Sequence, residues 1–583
     1  GIRYRRKVTD GQGTVSYSNT VLIFIVNPTT TEGISLNSNR GKNFWMAFGR
    51  NYTNSYSGVT LQLKIAATQT TNVTLSFQDD PSVNQTYTIA GGTVGTIDLT
   101  NDQKNACYNY YSTPTITDKS LHITSTDSIV VYAINLYMAT TDATAIYPVG
   151  SLGSDYFHMG YPPISFDLSS LDGFVIVATA PGTTNIYENT LGGTLLATLS
   201  EGQVYNHYGA NNSTDLSGMH IVADKPVAYY MNHTIAFVPA GGTWYAGDIL
   251  WEQLFSTDRW GTHFFVPQTE QEKVRIRIMA RESGTNLTIP GLVAMPVGAV
   301  ASDLYNQTGL MGPIEVEPNN SVITGSQPSI TGLSAGQFVE IDMGAATHGC
   351  YIASNKPVMV CSYMVCTNYT TYGGNWGDPA MGWIPPIEQK TRAVVVSRFA
   401  ASNSNVDKHR ALIVTATSGK ASTTVAVGGG AAATISGVTW YDNIDAGLSY
   451  CSYTLPDDNY YTFDNSNGLV VGGYGFGSYE SYYYLGGASA RVLTAPLLIN
   501  GNYSDEIMGD TYGSCTPITF TCAATTTPTS ITWKVNGVVQ PSYSNLTTWS
   551  ATLPVSDYMI EMEAVIGTDT FTQITWFRVR SCP

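Results

Sequence analysis

The amino-acid sequence predicts an all-β protein, built from tandem β-sandwich-like repeats and a separate C-terminal sandwich. Three observations support this prediction. One short phrase recurs four times, two further phrases precede it in a fixed order, and apolar and polar residues alternate with a period of two almost throughout. The composition agrees, because 56 glycines and 38 tyrosines accompany only 12% charged residues. Strand formers and turn formers therefore dominate, and we expect almost no helix.

The recurring phrase predicts a β-hairpin in each copy. The copies share a short strand, a polar stretch and a second, more apolar strand, and they are Ile221–Tyr230, Tyr351–Val360, His122–Tyr132 and Tyr461–Val471. In the two clearest copies, Pro226 and Pro357 end the polar stretch. We expect both prolines at hairpin turns or strand starts, where a missing backbone N–H costs nothing.

An opening phrase precedes three of the hairpins and sets the length of the repeat. A middle phrase follows it, an alternating strand that runs into Thr71-Asn72, Thr184-Asn185 and Thr285-Asn286, and a degenerate version of this strand precedes the fourth hairpin. The opening phrase starts at Gly41, Gly153 and Gly261, so that successive copies lie 112 and 108 residues apart. Such units are longer than a propeller blade or solenoid rung of about 20 to 50 residues and suit a small β-sandwich. The predicted domains are a terminal hairpin at 1–28, four repeats at 29–150, 151–258, 259–390 and 391–498, and a C-terminal sandwich at 499–583.

The two ends of the chain resemble Ig-like modules of large secreted bacterial surface proteins. Residues 2–26 resemble the last two strands of such a module, whose earlier strands are missing here. Because Leu22–Ile25 is apolar on both faces, we expect this hairpin to complete a sandwich, either upstream in the parent chain or in a neighbouring copy. Residues 499–583 predict a complete Ig-like or PKD-like sandwich, with Trp533 in its core and a type I′ turn at Asn536-Gly537.

The repeats carry three segments, Ser217–Ala228, Asp248–Leu254 and Trp260–Pro267, that resemble the N-terminal domain of IgGFc-binding protein. This family occurs in animal mucus proteins and in many bacterial surface proteins. The resemblance covers roughly residues 38–493 and is strongest from 153 to 390. It implies an extracellular adhesive or mucus-associated role. The antibody binding recorded in the family name belongs to one animal member and is not transferred to this chain.

An acid lies near aromatic residues in the loop after each repeated phrase. The candidate ligand-binding residues are Trp244, Tyr245, Asp248, Trp251, Trp376, Asp378 and Trp383, and the matching loops of the first and fourth repeats carry Asp142 and Glu480. Aromatic faces stack on sugar rings, and carboxylates accept hydrogen bonds from sugar hydroxyls. Alternatively, the loops brace neighbouring repeats and the acids accept hydrogen bonds from backbone N–H groups. Recurrence in every repeat favours this bracing role.

The sequence contains no recognisable catalytic motif. HExxH, G-x-S-x-G and a phosphate-binding glycine loop are absent, and the eight histidines are scattered singly. Cys361 and Cys366 do not match the spacing of zinc sites, whereas Cys515 or Cys522 could pair with Cys582. We therefore expect no enzyme activity, no cofactor and no metal, although two acids distant in sequence could still meet as a glycosidase pair.

Charge and hydropathy argue against two classes of partner. The net charge of −16 opposes nucleic-acid binding, and no window approaches the roughly 18 apolar residues that cross a bilayer. We expect an extracellular or cell-surface segment that acts in adhesion or as a structural element of a surface fibre. Its expected partners are proteins or glycans at the cell surface, together with further copies of the chain through the N-terminal hairpin. The alternative function is a module that binds or hydrolyses carbohydrate.

Overall fold

The computed structural model of the chain separates into two compact units, Gly1–Gly33 and Ile34–Pro583. It describes four short strands within the first 38 residues and then residues 39–582, except for 241–245, 272, 291–313, 316–321, 325–328, 344–347, 368–375, 402, 505–510, 525–526 and 567–568. In these ranges α1 (Asn101–Cys107) is the single α-helix, and strands provide most of the regular structure. The predicted all-β fold class is confirmed.

The first unit contains two antiparallel strand pairs. β1 (Ile2–Tyr4) pairs with β4 (Val21–Ile23), and β2 (Lys7–Thr9) pairs with β3 (Val15–Tyr17). The chain therefore folds back on itself as the sequence predicts for this hairpin. Its membership of an incomplete sandwich stays a prediction.

The second unit begins with four copies of one strand plan. The first copy contains β5 (Gly41–Met46), β6 (Phe48–Gly49), β7 (Val59–Ala67), β8 (Thr71–Phe77), β9 (Gln85–Ile89), β10 (Thr93–Asp98), β11 (Tyr108–Asn109), β12 (Thr115–Thr117), β13 (Leu121–Tyr137) and β14 (Thr140–Ile146). The second contains β15 (Gly153–Phe157), β16 (Asp172–Ala178), β17 (Thr183–Glu188), β18 (Thr194–Ser200), β19 (Val204–Tyr208), β20 (His220–Ala236) and β21 (Asp248–Gln253). The third contains β22 (Gly261–Val266), β23 (Val274–Ala280), β24 (Thr285–Thr288), β25 (Ile314–Glu315), β26 (Val322–Thr324), β27 (Ser329–Leu333), β28 (Phe338–Met343), β29 (Cys350–Met364) and β30 (Ala380–Ile384). The fourth contains β31 (Thr391–Val396), β32 (Val406–Ala416), β33 (Thr424–Val427), β34 (Ala433–Thr434), β35 (Tyr441–Asn443), β36 (Leu448–Thr454), β37 (Tyr461–Gly477) and β38 (Glu480–Gly487).

Each copy is organised around one long strand, and we call β13, β20, β29 and β37 the long strands. The first half of each long strand pairs with one set of neighbours, namely β5 and β8, β15 and β17, β22 and β24, and β31 and β33. The second half pairs with a different set, namely β7 and β14, β16 and β21, β23 and β30, and β32 and β38. A strand that passes from one set of partners to another joins the two layers of a sandwich at a corner.

The long strands correct the predicted hairpins. Each recurring phrase is one continuous bent strand, and its polar stretch is the corner between the two layers. Pro226 and Pro357 lie inside β20 and β29, not at a turn or strand start. Ladder pairing nevertheless stops at Ala223 and resumes at Val227 in β20, so the missing proline N–H interrupts no ladder bond there. The sequence pattern misled because a corner and a turn both expose polar residues.

The corner also explains why a Thr-Asn dipeptide recurs in the middle phrase. Asp224 accepts a hydrogen bond from the backbone N–H of Asn185 at 2.9 Å, and Asn355 accepts one from the N–H of Asn286 at 2.7 Å. In the first repeat, Thr126 occupies the matching position and accepts from a backbone N–H in the same way. These bonds tie the corner of the long strand to the neighbouring hairpin, where β-ladder pairing is interrupted.

The four repeats close into a ring through the strands that follow the long strands. We call β14, β21, β30 and β38 the inner strands. β14 packs against β21 and β38, and β30 packs against the same two strands. All four are buried along their whole length. The first repeat therefore contacts the fourth as well as the second. β12 also pairs with β19 across the predicted boundary at residue 150, and the exact domain limits stay a prediction.

A separate sandwich follows the ring. One sheet contains β39 (Leu497–Ile499), β40 (Asn502–Tyr503), β42 (Ile518–Cys522) and β45 (Thr548–Ala551). The other contains β41 (Thr511–Gly513), β43 (Ser530–Val535), β44 (Val538–Val539), β46 (Ser556–Ile566) and β47 (Asp569–Arg580). Trp533 is fully buried, as predicted, and its Nε1–H donates to the Leu546 carbonyl at 2.9 Å. Asn536 and Gly537 both have positive φ, which confirms the predicted type I′ turn. Cys515 rather than Cys522 forms the disulfide with Cys582.

Candidate functional site

Four loops meet at one end of the ring, where each long strand turns back into its inner strand. Their described parts are residues 137–140, 236–240 with 246–248, 364–367 with 376–380, and 477–480, and we call the surface that these described parts form the loop face. Hydrogen bonds at these loops connect each repeat to the next. Thr141 bonds to Asp248 between the first and second repeats, and Cys366 bonds to Val238 between the second and third. Gly377 bonds to Gly477 between the third and fourth repeats, and Thr141 bonds to Glu480 between the first and fourth. The loops are therefore positioned by one another as well as by their own repeats.

Asp142 lies at the centre of the ring and contacts all four repeats. Its Oδ2 accepts hydrogen bonds from the backbone N–H groups of Trp251 at 3.0 Å and Met381 at 3.1 Å. Its Oδ1 accepts from the N–H groups of Tyr483 at 3.1 Å and Ala143 at 2.9 Å. One buried carboxylate thus satisfies a donor from each inner strand.

Four further acids surround Asp142. Asp248 Oδ1 accepts from the N–H groups of Thr141 and Ile249, and Glu480 accepts from the Thr141 hydroxyl. Glu252, which the sequence did not single out, accepts from the Trp383 N–H at 3.4 Å. Asp248 Oδ2, Glu252 Oε2 and Asp378 Oδ1 have no hydrogen-bond partner in the part of the chain that the structure describes. The ring centre is therefore acidic, buried and only partly satisfied.

Burial controls the ionisation of this cluster. It raises the pKa of Asp248 well above its usual value, and the acids at 378, 480 and 142 raise that pKa further. Burial likewise raises the pKa values of Glu252 and Asp378. For Asp142, burial also raises the pKa, while the four donated N–H groups act in the opposite direction. The low dielectric of the interior and repulsion between neighbouring acids thus favour the protonated forms of Asp248, Glu252 and Asp378.

The aromatic candidates lie mainly inside the protein. Trp251 is fully buried and stacks on Phe48 at 5.2 Å, and Trp383 is buried against Phe255 at 4.4 Å. Asp248 and Asp378 are buried as well. Trp376 is half-buried, and the ammonium of Lys408 lies 4.4 Å from the centre of its ring. Trp244 and Tyr245 lie outside the described residues. Ligand binding by these seven residues stays a prediction, and the contacts of the buried ones fit the bracing role.

Exposed apolar side chains lie on and beside the loop face. Met138 is 71% exposed at the tip of the first loop, and Phe166 and Leu168 are 74% and 85% exposed. Phe166 lies 6.0 Å from Phe237, which belongs to the second loop. Large exposed apolar side chains that cluster around loops are typical of protein contact surfaces.

A buried ion pair that the sequence did not reveal lies in the third repeat and is hydrogen-bonded to the second repeat. Arg277 Nε donates to Glu340 Oε2 at 2.7 Å, and the Tyr161 hydroxyl donates to Glu340 Oε1 at 3.0 Å. Burial alone would raise the pKa of Glu340, but the neighbouring guanidinium groups hold it below its usual value. The available signal was an arginine alternating with isoleucines in a strand, where an outward-facing charge was the simpler interpretation.

No cluster of His, Cys, Asp and Glu able to hold a metal ion occurs within the described ranges. No helix among the described residues has the length and apolar character needed to cross a membrane. Cys107, Cys350, Cys361, Cys366, Cys451 and Cys522 are buried free thiols.

Sequence comparison places the ring in a known family. The sequence profile described as IgGFc binding protein matches residues 142–312 and 313–477, which is more than half of the chain. This chain belongs to the IgGFc binding protein family. The first match begins at Asp142, the residue at the ring centre. The family prediction is confirmed, whereas the bacterial surface context stays a prediction.

One curated relative and two solved structures illustrate how far the likeness extends. The human IgGFc-binding protein is 28% identical over 283 residues, which cover 46% of this chain and 4% of the human protein. The eight N-terminal Ig domains of Down Syndrome Cell Adhesion Molecule match with 8% identity over 99% of this chain and 64% of that one, at a TM-score of 0.11. The four N-terminal Ig domains of Dscam1 isoform 4.44 match with 10% identity over 74% of this chain and 98% of that one, at a TM-score of 0.13. These TM-scores are too low to support an argument about the fold.

Proposed function

We propose that this chain is an extracellular adhesive module that contacts a protein partner through the loop face. The observation that carries the proposal is the convergence of four loops, with exposed apolar side chains beside them, on one end of a closed ring. Binding residues are commonly held on loops that a rigid scaffold positions. Membership of the IgGFc binding protein family supports a binding role over a catalytic one.

An extracellular location agrees with the disulfide between Cys515 and Cys582, because such bonds persist in oxidising compartments. The six remaining thiols are buried, where they are protected from exchange. We place the module in a large cell-surface protein, either as an adhesive head or as an element of a surface fibre that forms through the N-terminal hairpin.

Binding measurements with paired surface variants test the role of the loop face. The human relative is named for binding IgG Fc, so purified Fc is a defined first probe, followed by a fixed panel of extracellular proteins. Phe166→Ser with Leu168→Ser should weaken a protein partner's binding about tenfold or more, because apolar anchors dominate such contacts. The control pair is Leu191→Ser with Leu195→Ser, whose side chains are 61% and 54% exposed in another hairpin. This pair should leave the binding unchanged. Equal effects of the two pairs would contradict the proposal.

Carbohydrate binding is the second candidate function. The half-exposed Trp376, with a lysine ammonium over its ring, is the described residue that best fits a sugar-stacking surface. A glycan array probed with the chain and with Trp244→Ala and Trp376→Ala variants tests this alternative. Sugar binding that disappears in both variants supports it, whereas binding that persists in both excludes these loops as the site.

A further inference from the structure

A second surface, distinct from the loop face, has the properties of a ligand site. The four repeats are connected by short segments that follow the inner strands, at 147–152, 254–260, 385–390 and 488–496. Three of them contribute to one pocket of about 520 Å³, and the C-terminal sandwich closes its other side. The described lining residues are Arg40, Gly150, Ser151, Arg259, Ser489, Ala490, Arg491, Val492, Pro496, Leu497, Tyr503, Ser504, Thr572 and Gln573.

The charge of this pocket is opposite to that of the chain. Three arginines are among its described lining residues and no acidic residue is, although the whole chain carries a net charge of −16. Arg40 makes no hydrogen bond or ion pair with any residue that the structure describes. Arg259 is 5% exposed; its guanidinium pairs with Asp258 and donates to the Ser256 hydroxyl and the Leu152 carbonyl, while its Nε has no hydrogen-bond partner in the described part of the chain.

The third arginine is held in place by its neighbours. The guanidinium of Arg491 lies 4.2 Å from the centre of the Tyr503 ring, and its Nη1 donates to the Glu388 carbonyl at 3.2 Å. A guanidinium that is stacked and hydrogen-bonded loses little conformational freedom when it binds an anion. Beside it, Ala490 has a φ of 53°, a conformation that costs energy for a residue with a Cβ atom.

We propose that this pocket binds an acidic saccharide residue, a sugar that carries a carboxylate or a sulfate ester. Arginine forks match the geometry of both oxyanions. The pocket is far larger than a single oxyanion and falls in the range of small-molecule sites. Its lining also includes Ser151, Ser489, Ser504, Thr572 and Gln573, residue types whose side chains can donate to and accept from sugar hydroxyls.

Titration calorimetry of the whole chain tests the proposal. The probes are 3′-sialyllactose, galactose 6-sulfate, neutral lactose and inorganic sulfate. We expect saturable binding of at least one acidic sugar and none of lactose. Arg40→Gln should weaken this binding about tenfold or more, because it removes a charge-assisted hydrogen bond. Lys42→Gln is the matched control, because Lys42 lies two residues away, is exposed and bonds to the Thr126 carbonyl outside the pocket.

Four results would overturn the proposal. The first is the absence of saturable binding of either acidic sugar up to about 10 mM, which is well above the range of weak specific binding. The second is lactose binding as tight as that of the acidic sugars, and the third is an equal loss of affinity in Arg40→Gln and Lys42→Gln. The fourth is binding of inorganic sulfate as tight as that of the sugars, which would remove the saccharide from the assignment. Unchanged melting temperatures of both variants show that a loss of binding is not a loss of fold.

Discussion

Asparagine at position 142 should destabilise the ring, although it has nearly the same shape as aspartate. The carboxylate accepts four backbone N–H groups, three of them from other repeats. The amide keeps one oxygen for two of these donors and turns an NH₂ group towards the other two. Each buried N–H that loses its acceptor costs about 1–3 kcal/mol. Removal of a buried charge offsets part of that cost, so we expect a net loss of about 2–4 kcal/mol.

Urea unfolding followed by tryptophan fluorescence at neutral pH measures this loss. The matched control is Asp127→Asn, because Asp127 is half exposed, accepts from its neighbour Ser128 and lies 3.7 Å from Lys42. Such an exposed pair contributes less than about 1 kcal/mol. If Asp142→Asn unfolds at the same urea concentration as the unchanged chain, Asp142 does not hold the repeats together.

Three further predictions concern the ring acids and the two ends of the chain. Burial raises the pKa of Asp378, so the contribution of this acid to stability is greatest below the ordinary value of 3.8 and is lost as pH rises through the raised pKa. Asp378→Asn should therefore gain stability relative to the unchanged chain as pH increases. A difference in urea midpoint between the two chains that stays constant from pH 4 to pH 8 would contradict this. Replacing Cys515 and Cys582 by alanine opens a loop with a sequence separation of 67 and should cost about 4 kcal/mol, measured by thermal melting of the C-terminal sandwich, whereas an unaltered melt would show that the disulfide is dispensable. Deletion of residues 1–26 should reduce self-association in analytical ultracentrifugation, and an unchanged mass distribution would mark the hairpin as a passive segment.

Local sequence patterns predicted what local physics determines. Period-two alternation indicated strands, Asn536-Gly537 indicated its turn, and the position of Trp533 in the Ig-like strand pattern indicated a core residue. The ordered phrases also indicated that the same plan is repeated. Each of these features depends on a few neighbouring residues, so it can be recognised without knowledge of the tertiary contacts.

The ring could not be predicted in the same way, because its evidence is spread over all four repeats. β14 contains Thr141, Asp142 and Thr144 and looks like a surface strand or loop, yet it is wholly buried. Its polar atoms are satisfied by strands that follow it by about 100 to 340 residues. The acids and aromatics near Trp251 and Trp383 have the composition of a sugar site, and the same composition also suits a buried polar centre with aromatic packing around it.

Closure of the ring links the unusual centre of this protein to the function proposed for its surfaces. A buried carboxylate is costly, and Asp142 is acceptable only when other repeats deliver N–H groups to it. That requirement selects one arrangement of the four repeats over open arrangements in which the carboxylate would lack partners. Once closed, the ring holds four loops at one end and four connecting segments around its other side in fixed positions. A partner then meets surfaces that need little further ordering, which removes part of the entropic cost of binding. Weakening the centre by Asp142→Asn should therefore reduce affinity at the loop face even though no surface residue has changed.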